Sequence, residues 1–174
     1  MSLKRLQLTL AIFKPDITAQ PHIIKEVRSM LLQHKFYFIR SKELRLSRQR
    51  AEEFYQEHKG KFFLNRLVSF MSSGPLSAHI LARDNAVQEW RRLMGPTKVL
   101  RTIHEDADSI RGMYGLTDTR NCTHGSDSPE SAAKEIAFFF PEFSIDHWYR
   151  EDESCYREGK VFYDNDTGMH MLQR

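Results

Sequence analysis

Cysteine and long apolar segments are scarce in this sequence, and each scarcity excludes a class of protein. Only two of the 174 residues are cysteines, Cys122 and Cys155, so the chain has neither a disulfide framework nor a metal-ligand spacing. We therefore expect a reducing compartment. No segment approaches the roughly 18 uninterrupted apolar residues of a membrane-spanning helix, so we expect no membrane partner. The net charge of +3 is too small to indicate nucleic acid as a partner.

The composition is typical of one globular domain. Hydrophobic residues make up 40% of the chain and charged residues 28%, which suits a single domain with a substantial core at this length. A strand-like pattern begins almost at the first residue, with no signal-peptide pattern before it. These features predict an intracellular protein, with the cytoplasm as the default compartment.

Hydrophobic periodicity predicts an α+β fold. Apolar alternation indicates four strands, and helical periodicity with capping residues indicates the helices between them. The order β-α-β-β-α-β with extra helices inserted is typical of a ferredoxin-like split βαβ fold, an antiparallel four-stranded sheet with helices. The predicted strands are residues 6–13, 36–46, 76–82 and a brief one around 124. Two predicted helices start at residues 21 and 48, and three others cover residues 62–71, 86–94 and 129–140.

Two segments lack such a pattern. Residues 95–112 are predicted as a long loop with a short helical patch at 109–114, and loops of that length are often functional. Residues 151–174 are charged and contain tyrosine and phenylalanine, and we expect them to pack as an arm or to be partly disordered. We therefore divide the chain into a main domain, 1–150, and a C-terminal extension, 151–174.

One of the eight histidines has distinctive neighbours. Residues 121–127 read NCTHGSD, which sets His124 among small and polar residues and beside a glycine. Ser128, Pro129 and Glu130 then have the character of an N-cap, a first-turn proline and a first-turn acid, so a helix is predicted to start there. A histidine at the positive end of a helix can handle an anion as base, nucleophile or phosphate carrier.

The NxxHGSD motif resembles the active-site signature of the nucleoside diphosphate kinase family. The resemblance implies the family's ferredoxin-like fold for the kinase domain, 1–150. It also implies a phosphotransferase that moves the γ-phosphate of ATP or another nucleoside triphosphate to a nucleoside diphosphate, by a ping-pong mechanism through phosphohistidine at His124. Four further segments agree with the family in order, so that the resemblance covers roughly residues 6–149: Lys14-Pro15-Asp16, Phe54-Tyr55, Ser73-Gly74-Pro75 and Ile110-Arg111-Gly112.

Glu135 is the predicted orienting partner of His124. It lies in the second turn of the helix after the motif, and helical side chains lean toward their N-terminus, so its carboxylate can reach the preceding loop. A solvated glutamate is the alternative, and the matching glutamate of the family favours the orienting role. The resemblance also places the Ser126 hydroxyl near the transferred phosphoryl group and adds Lys14 and Tyr55 to the catalytic set.

Three cations, Lys14, Arg91 and Arg111, match the phosphate-binding positions of the family. Arginine offers a planar fork to phosphate oxygens and lysine a compact charge, so together they would form a clamp, with hydroxyls from Thr97 and Tyr55. Any one of these cations alone would be interpreted as a solvated surface charge. Such a clamp calls for Mg²⁺ held chiefly by the nucleotide phosphates, and the sequence contains no protein cage for a metal.

The base site implied by the resemblance uses Phe63 as a stacking face and Leu67 one helical turn later. Phe62 is a neighbouring alternative for the stacking ring, and Phe63 and Leu67 are equally credible as core residues. Asn121 and Lys14 would contact the ribose hydroxyls. Stacking without contacts to the base edges tolerates any base, which suits an enzyme that accepts many nucleotides.

Three departures from the family pattern indicate a divergent branch, and most closely the sixth type found in animals. Asp118 stands where the family usually has a small apolar residue lining the base pocket, and its carboxylate would repel a nucleotide or change the base preference. The segment after Gly95 is longer than usual, and so is the tail. In the family, both of these segments contribute to surfaces that are used in assembly. The sequence is therefore compatible with a homo-oligomer and with a complex with a partner protein. The resemblance to this divergent branch makes the mitochondrion an alternative to the cytoplasm as the expected compartment.

A weakly active regulatory or binding module that needs a partner protein is the alternative to a self-sufficient kinase. Asp118 and the long segment after Gly95 motivate it. A nucleic-acid binder is suggested only by mild basicity and scattered aromatic residues, and no recognition motif supports it. The kinase is the leading hypothesis because every catalytic residue implied by the resemblance is present. Its expected ligands are nucleoside di- and triphosphates.

Overall fold

A computed structural model describes residues 4–173, most of which belong to helices or strands. A single 3₁₀ turn, Gln56–His58, follows the third helix. In chain order the other elements are β1 Gln7–Phe13, α1 Pro15–Thr18, α2 Pro21–Gln33, β2 Tyr37–Leu44, α3 Arg48–Phe54, α4 Leu64–Met71, β3 Leu76–Arg83, α5 Ala86–Met94, α6 Val99–Glu105, α7 Ile110–Tyr114, β4 Thr123–Gly125, α8 Pro129–Phe139, α9 Ile145–Glu151, α10 Glu153–Arg157, β5 Val161–Asp164 and β6 Met169–Leu172.

Four strands form one antiparallel sheet in the order β2-β3-β1-β4, which confirms the predicted ferredoxin-like α+β architecture. β1 pairs with β3 over its full length, whereas β4 adds a short ladder on the other side of β1. One pair of that ladder sets Ile12 opposite His124. The histidine therefore lies on a short edge strand, held to the sheet by the C-terminal half of β1.

β1 is buried on both faces and separates two hydrophobic cores. Leu10 and Ile12 pack into one core, while Ala11 and Phe13 pack into the other. Burial on both faces explains the nearly continuous apolar pattern of this strand. Pro15 ends the strand because it has no backbone N–H to donate, and α1 begins at this residue. The end of β1 thus lies beside the short strand that carries the histidine.

The starts of the helices follow their capping residues. Pro21 occupies the first turn of α2, whose apolar face buries Ile23, Val27 and Leu31. Ser47 caps α3 through its side-chain oxygen, as its position in the sequence predicts. Within residues 4–173, none of the helices is long and apolar enough to cross a membrane.

The segment 95–112 is not a loop, contrary to the prediction, because α6 and the start of α7 lie within it. The sequence pattern does not indicate α6, since it buries only Val99 and Thr102 while Leu100 is 78% exposed. The Val99 N–H donates to the carboxylate of Asp118 at 3.0 Å. This contact caps the helix in place of a local capping residue.

The tail packs as an arm, which is the first of its two predicted alternatives, and is not partly disordered. Tyr156 of α10 is buried, and β5 and β6 form a hairpin beside β2. The Phe38 N–H of β2 donates to Nδ1 of His170 at 2.9 Å. Since β2 is an edge strand, this contact satisfies a donor on the open edge of the sheet. The predicted boundary after residue 150 falls at the end of α9, and the division into two domains stays a prediction.

Candidate active site

His124 and Glu135 meet between β4 and α8. Ser128 accepts a hydrogen bond from the Ser131 N–H at 3.0 Å, and Pro129 occupies the first turn, so α8 starts where the sequence predicts. Oε1 of Glu135 is hydrogen-bonded to Nε2 of His124. The two side chains are 23% and 16% exposed, so the pair is partly buried but still accessible.

The contact with Glu135 leaves the other ring nitrogen of His124 open. Nδ1 makes no hydrogen bond to any of residues 4–173, and Oε2 of Glu135 is buried without a partner in the same part of the chain. A carboxylate beside one ring nitrogen favours the proton on that nitrogen, so the lone pair lies on the other. The contact therefore leaves the lone pair of Nδ1 available to a ligand.

The pair forms one wall of a cleft of about 610 Å³, a volume typical of small-ligand sites. Side chains from α3, α5, α7 and the segment after α5 complete its walls. The structure thus brings together a large part of the predicted site. The predicted residues in the lining are His124, Glu135, Tyr55, Arg91, Thr97 and Arg111.

Arg111 is bound by backbone carbonyl groups on the inner side of the cleft. Its guanidinium donates to the carbonyl oxygens of Gly95 at 2.6 Å, Thr123 at 3.0 Å and Asn121 at 3.3 Å. Burial lowers the pKa of Arg111 to about 10, so the group stays charged at neutral pH. Arg111 therefore ties the segment after α5 to β4 and places a fixed positive charge beside the cleft.

Lys14 lies behind the cleft rather than in its lining. It is 5% exposed, and its Nζ donates to Oδ1 of Asn121 at 2.7 Å. Burial, followed by the neighbouring charge of Arg111, lowers the pKa of Lys14 from 10.5 to about 7. Asn121 in turn donates to the carbonyl of Asp118 at 3.0 Å. The two residues predicted to contact the ribose are thus bonded to each other.

Two aromatic rings pack edge-on against the imidazole of His124. The ring centroids of Phe54 and Tyr55 lie 5.2 and 6.4 Å from that of His124. The Tyr55 hydroxyl is buried and has no hydrogen-bond partner among the described residues. Burial, followed by the charge of Glu135, raises the pKa of Tyr55. The hydroxyl therefore stays protonated and can donate to a ligand.

Three further predicted residues lie outside the lining of the cleft. Ser126 is 1% exposed, and its Oγ accepts the N–H of Leu10 at 3.4 Å. Phe63 precedes α4, with its ring centroid 5.3 Å from that of His58, which does line the cleft. Leu67 packs against the core on one side of the sheet. The predicted roles of these residues toward a nucleotide stay predictions.

The lining also contains residues that the motifs do not mark. Ser131, Lys134 and Phe138 share the cleft with Glu135. Helical spacing is the signal that identifies them, because residues three or four apart lie on one face of α8. His58 has no such signal, since it lies in a 3₁₀ turn. Lys134 adds a cation that the predicted clamp does not include.

A strained residue joins the end of β1 to the start of β4. Cys122 has a φ of 79°, in the left-handed region that few residues other than glycine adopt. Its N–H donates to the Asp16 carboxylate at 3.0 Å, and its carbonyl accepts the Lys14 N–H at 2.8 Å. Burial raises the pKa of the Cys122 thiol to about 12, so the thiol stays protonated. Strain of this kind is common beside functional residues, and here it fixes the turn before His124.

A family model for nucleoside diphosphate kinase matches residues 7–145. The chain belongs to the nucleoside diphosphate kinase family. The matched residues run from β1 to the first residue of α9 and include both members of the His124–Glu135 pair. This finding confirms the resemblance inferred from the motifs.

Individual relatives confirm the divergent branch as well. The chain is 55% identical over 168 residues to nucleoside diphosphate kinase 6 of Xenopus tropicalis, covering 97% of this chain and 94% of that protein. It is 53% identical over 167 residues to nucleoside diphosphate kinase 6 of Homo sapiens, covering 96% and 90%. A solved structure of Aquifex aeolicus nucleoside diphosphate kinase has a TM-score of 0.74 at 36% identity, covering 78% of this chain and 95% of that one. The similarity to the sixth-type proteins therefore includes most of the tail.

Proposed function

We propose that the protein is a nucleoside diphosphate kinase that transfers the γ-phosphate of ATP or another nucleoside triphosphate to a nucleoside diphosphate through phosphohistidine at His124. One observation carries the proposal: the bond between Nε2 of His124 and Glu135 leaves Nδ1 open at a cleft that also contains Arg91 and Arg111. Membership of the family supports the reaction class.

The proposed reaction has two half-reactions. In the first, the Nδ1 lone pair of His124 attacks the γ-phosphorus and forms an N–P bond, while the bond to the β–γ bridging oxygen breaks and its electron pair leaves with the nucleoside diphosphate. The Nε2 proton stays on the ring, and Glu135 offsets the positive charge that develops there. In the second, a terminal oxygen of the acceptor diphosphate attacks the same phosphorus, and the electron pair of the N–P bond returns to Nδ1.

The cleft supplies the charge and the donors that this chemistry needs. Phosphoryl transfer depends mainly on positioning and on neutralisation of phosphate charge. Arg91, Arg111 and Lys134 provide three cations around the cleft. The protonated hydroxyl of Tyr55 and the hydroxyl of Thr97 add donors to phosphate oxygens.

The remaining nucleotide contacts follow from the family resemblance. We propose that the base stacks on Phe63 beside Leu67 and that Lys14 and Asn121 contact the ribose hydroxyls, which requires the bond between them to open or to be shared. Ser126 accepts the Leu10 N–H through its oxygen, so its own proton is free to donate near the transferred group.

Mg²⁺ is the proposed cofactor, bound mainly through the nucleotide phosphates. Residues 4–173 contain no group of three or more His, Cys, Asp or Glu side chains that would hold a metal by themselves. Asp127 lines the cleft, and a hydrogen bond from Ser131 is the main cause that lowers its pKa, so it is ionised. A single carboxylate beside the phosphates fits an ion that keeps several water ligands. When bound, Mg²⁺ neutralises phosphate charge.

Incubation of the purified chain with γ-labelled ATP and Mg²⁺ tests the proposal. We expect acid-labile, base-stable label in the wild type, none in His124→Asn, and discharge of the label when a nucleoside diphosphate is added. Label that persists in the variant would exclude His124 as the carrier. Label that a diphosphate does not discharge would contradict the second half-reaction.

An exposed apolar surface favours a second candidate, a weakly active regulatory or binding module that a partner protein completes. Leu100, Ile103, Met113 and Leu116 are 78%, 40%, 44% and 67% exposed on α6, α7 and the turn that follows. Grouped apolar side chains on a surface mark protein contacts. Under this alternative the isolated chain takes up no label in the experiment above.

We propose an intracellular location, in the cytoplasm or the mitochondrion, and nucleoside di- and triphosphates as the small-molecule partners. A homo-oligomer and a protein partner are both compatible with the exposed surface on α6 and α7. Light scattering of the free chain measures its mass and separates a hexamer from a smaller species.

A further inference from the structure

Trp90 is buried against the strand that carries His124. Its side chain, on α5, is 0% exposed, and its Nε1–H donates to the backbone carbonyl of His124 at 3.2 Å. On the other side of β4, Ile12 of β1 is the partner of His124 in the sheet. The backbone of the nucleophile is therefore held from two sides, by the sheet and by one indole ring.

Gly125 shows how closely the indole approaches this strand. A Cβ atom added to Gly125 would lie 2.6 Å from Cδ1 and 2.8 Å from Nε1 of Trp90, and 2.6 Å from Cε of Met94. These distances leave no room for a side chain, so only glycine fits. The ring thus packs directly on the backbone next to His124.

The helix that carries Trp90 also carries a cation of the cleft. Arg91 is the next residue of α5 and lines the cleft, whereas Trp90 packs into the core with Phe13, at a centroid distance of 6.4 Å. Adjacent residues of a helix are joined by a rigid backbone. A contact that fixes Trp90 against His124 therefore also fixes the separation between His124 and Arg91.

We propose that Trp90 is a positioning residue, which sets the place of His124 relative to Arg91 through the hydrogen bond to the His124 carbonyl and the contact with Gly125. The effect on rate rests on the proposed function. Trp90 touches neither Nδ1 nor the cleft, so it acts only through its neighbours. Misplacement of reacting groups by about 1 Å costs on the order of 10²-fold in rate, so a loosened strand has a measurable effect.

Single-turnover labelling of Trp90→Phe with γ-labelled ATP tests this role. The variant lacks the N–H donor and has a smaller ring. We expect the labelling rate at saturating ATP to fall by about 10-fold or more, with the ATP concentration for half-maximal rate changed by less than about 3-fold. A purely structural role would lower the amount of folded protein without changing the rate per folded molecule.

Trp148→Phe is the matched control. Trp148 is 1% exposed in the other core, and its Nε1 has no hydrogen-bond partner among residues 4–173. We expect this variant to lose thermal stability and to be labelled at the wild-type rate per folded molecule. A wild-type rate in Trp90→Phe, or equal losses of rate in the two variants, would overturn the proposal.

A second variant separates the hydrogen bond from the packing. In 3-benzothienylalanine at position 90, sulfur replaces the N–H while the bicyclic shape is kept. We expect a loss of labelling rate between those of the wild type and Trp90→Phe. A benzothienyl variant slower than Trp90→Phe would contradict a role for both contacts.

The nitrogen chemical shifts of the His124 imidazole give a measurement that needs no activity. We expect them to change in Trp90→Phe and to stay unchanged in Trp148→Phe. Unchanged shifts in both variants would overturn the positioning role. If the wild type takes up no label while the shifts respond to Trp90 alone, the proposed function fails and the positioning contact stands.

Discussion

Two histidines on the same sheet differ in what surrounds them. His79 on β3 is 2% exposed, with Oγ of Ser41 2.7 Å from its Nδ1 and Oγ of Ser77 3.0 Å from its Nε2. His124 on β4 has a carboxylate on Nε2, and no described residue bonds to its Nδ1. Both nitrogens of His79 are therefore occupied, Nδ1 by Ser41 of β2 and Nε2 by Ser77 of its own strand, whereas one nitrogen of His124 is left open.

The two histidines differ in the partners of their rings rather than in the presence of a nearby cavity. His79 also borders a cavity, of about 440 Å³. Burial, followed by the charge of Arg28, holds the pKa of His79 well below its ordinary value, so the ring stays neutral. The cationic ring that the proposed phosphoryl transfer creates would have no carboxylate to stabilise it there. In the proposed mechanism, the Glu135 carboxylate beside His124 is that anion.

Replacing each histidine by asparagine should give the largest contrast. His124→Asn lacks a nucleophilic nitrogen, and we expect its labelling by γ-labelled ATP to fall by more than about 10³-fold. His79→Asn should be labelled within about 3-fold of the wild type per folded molecule, but with a lower melting temperature, because asparagine cannot replace both serine contacts. Labelling kinetics and thermal denaturation measure the two effects. Equal loss of label in both variants would remove the distinction.

Glu135→Gln should give the next largest effect, about 100-fold slower labelling. The amide has nearly the size of the carboxylate, but it cannot offset the charge on the ring, and its NH₂ group favours the wrong tautomer of His124. Ser41→Ala removes the corresponding neighbour of His79 and is the control, with an expected rate equal to that of the wild type. Rates for Glu135→Gln within about 3-fold of the wild type would show that the carboxylate is not needed.

Sequence patterns predict the parts of this fold whose signals are local. The serine and proline after the motif predict the start of α8 at Pro129, where it is found. The sequence does not predict α6, because the helix buries few side chains and its cap, Asp118, lies 19 residues beyond Val99. The sequence leaves open whether the tail packs as an arm or is partly disordered for a similar reason, since Phe38 and His170 are 132 residues apart.

The candidate site divides in the same way. Helical geometry after the motif predicts that Glu135 reaches His124, because one strand, one turn and one helix determine that contact. The residue type predicts a positive charge at Lys14 but not that the side chain is buried. The buried position involves a hydrogen bond to Asn121, which is 107 residues away in the sequence. Trp90 reads as an ordinary core residue of an amphipathic helix, since its partner lies 34 residues further along the chain.

The buried His79 should make folding stability depend on pH below its ordinary pKa of 6.5. Its pKa is depressed in the folded chain, so the unfolded chain binds a proton there that the folded chain does not. The stability is therefore fully present above that pH and is lost below it, by at most about 1.4 kcal/mol per pH unit. His170, whose pKa burial lowers to about 4, acts in the same direction.

Urea denaturation at neutral pH and at about pH 5.5 measures this dependence. The free energy of unfolding of the wild type should fall by about 1 kcal/mol more than that of His79→Asn over this interval. His170 is present in both proteins, so its contribution cancels in the comparison. An equal fall in the free energy of unfolding of the two proteins would show that His79 also takes up its proton in the folded state. The contacts of His79 would then not keep its ring neutral, and the contrast with His124 would be weaker.

Asp118 should give the smallest effect and tests whether a carboxylate near the site serves binding or structure. The family resemblance predicts that it lines the base pocket, whereas its Oδ1 caps α6 through the Val99 N–H at 3.0 Å. If the cap is its main role, Asp118→Ala should lower the free energy of unfolding by about 1 kcal/mol. Asp118→Asn should lower it by less, because the amide keeps an acceptor oxygen. Neither variant should change the KM for ATP by more than about 3-fold. If the carboxylate repels the nucleotide, both variants should lower KM equally, because both remove the charge. The first result would distinguish Asp118, whose carboxylate only caps the start of α6, from Glu135, whose carboxylate is bonded to the ring of His124.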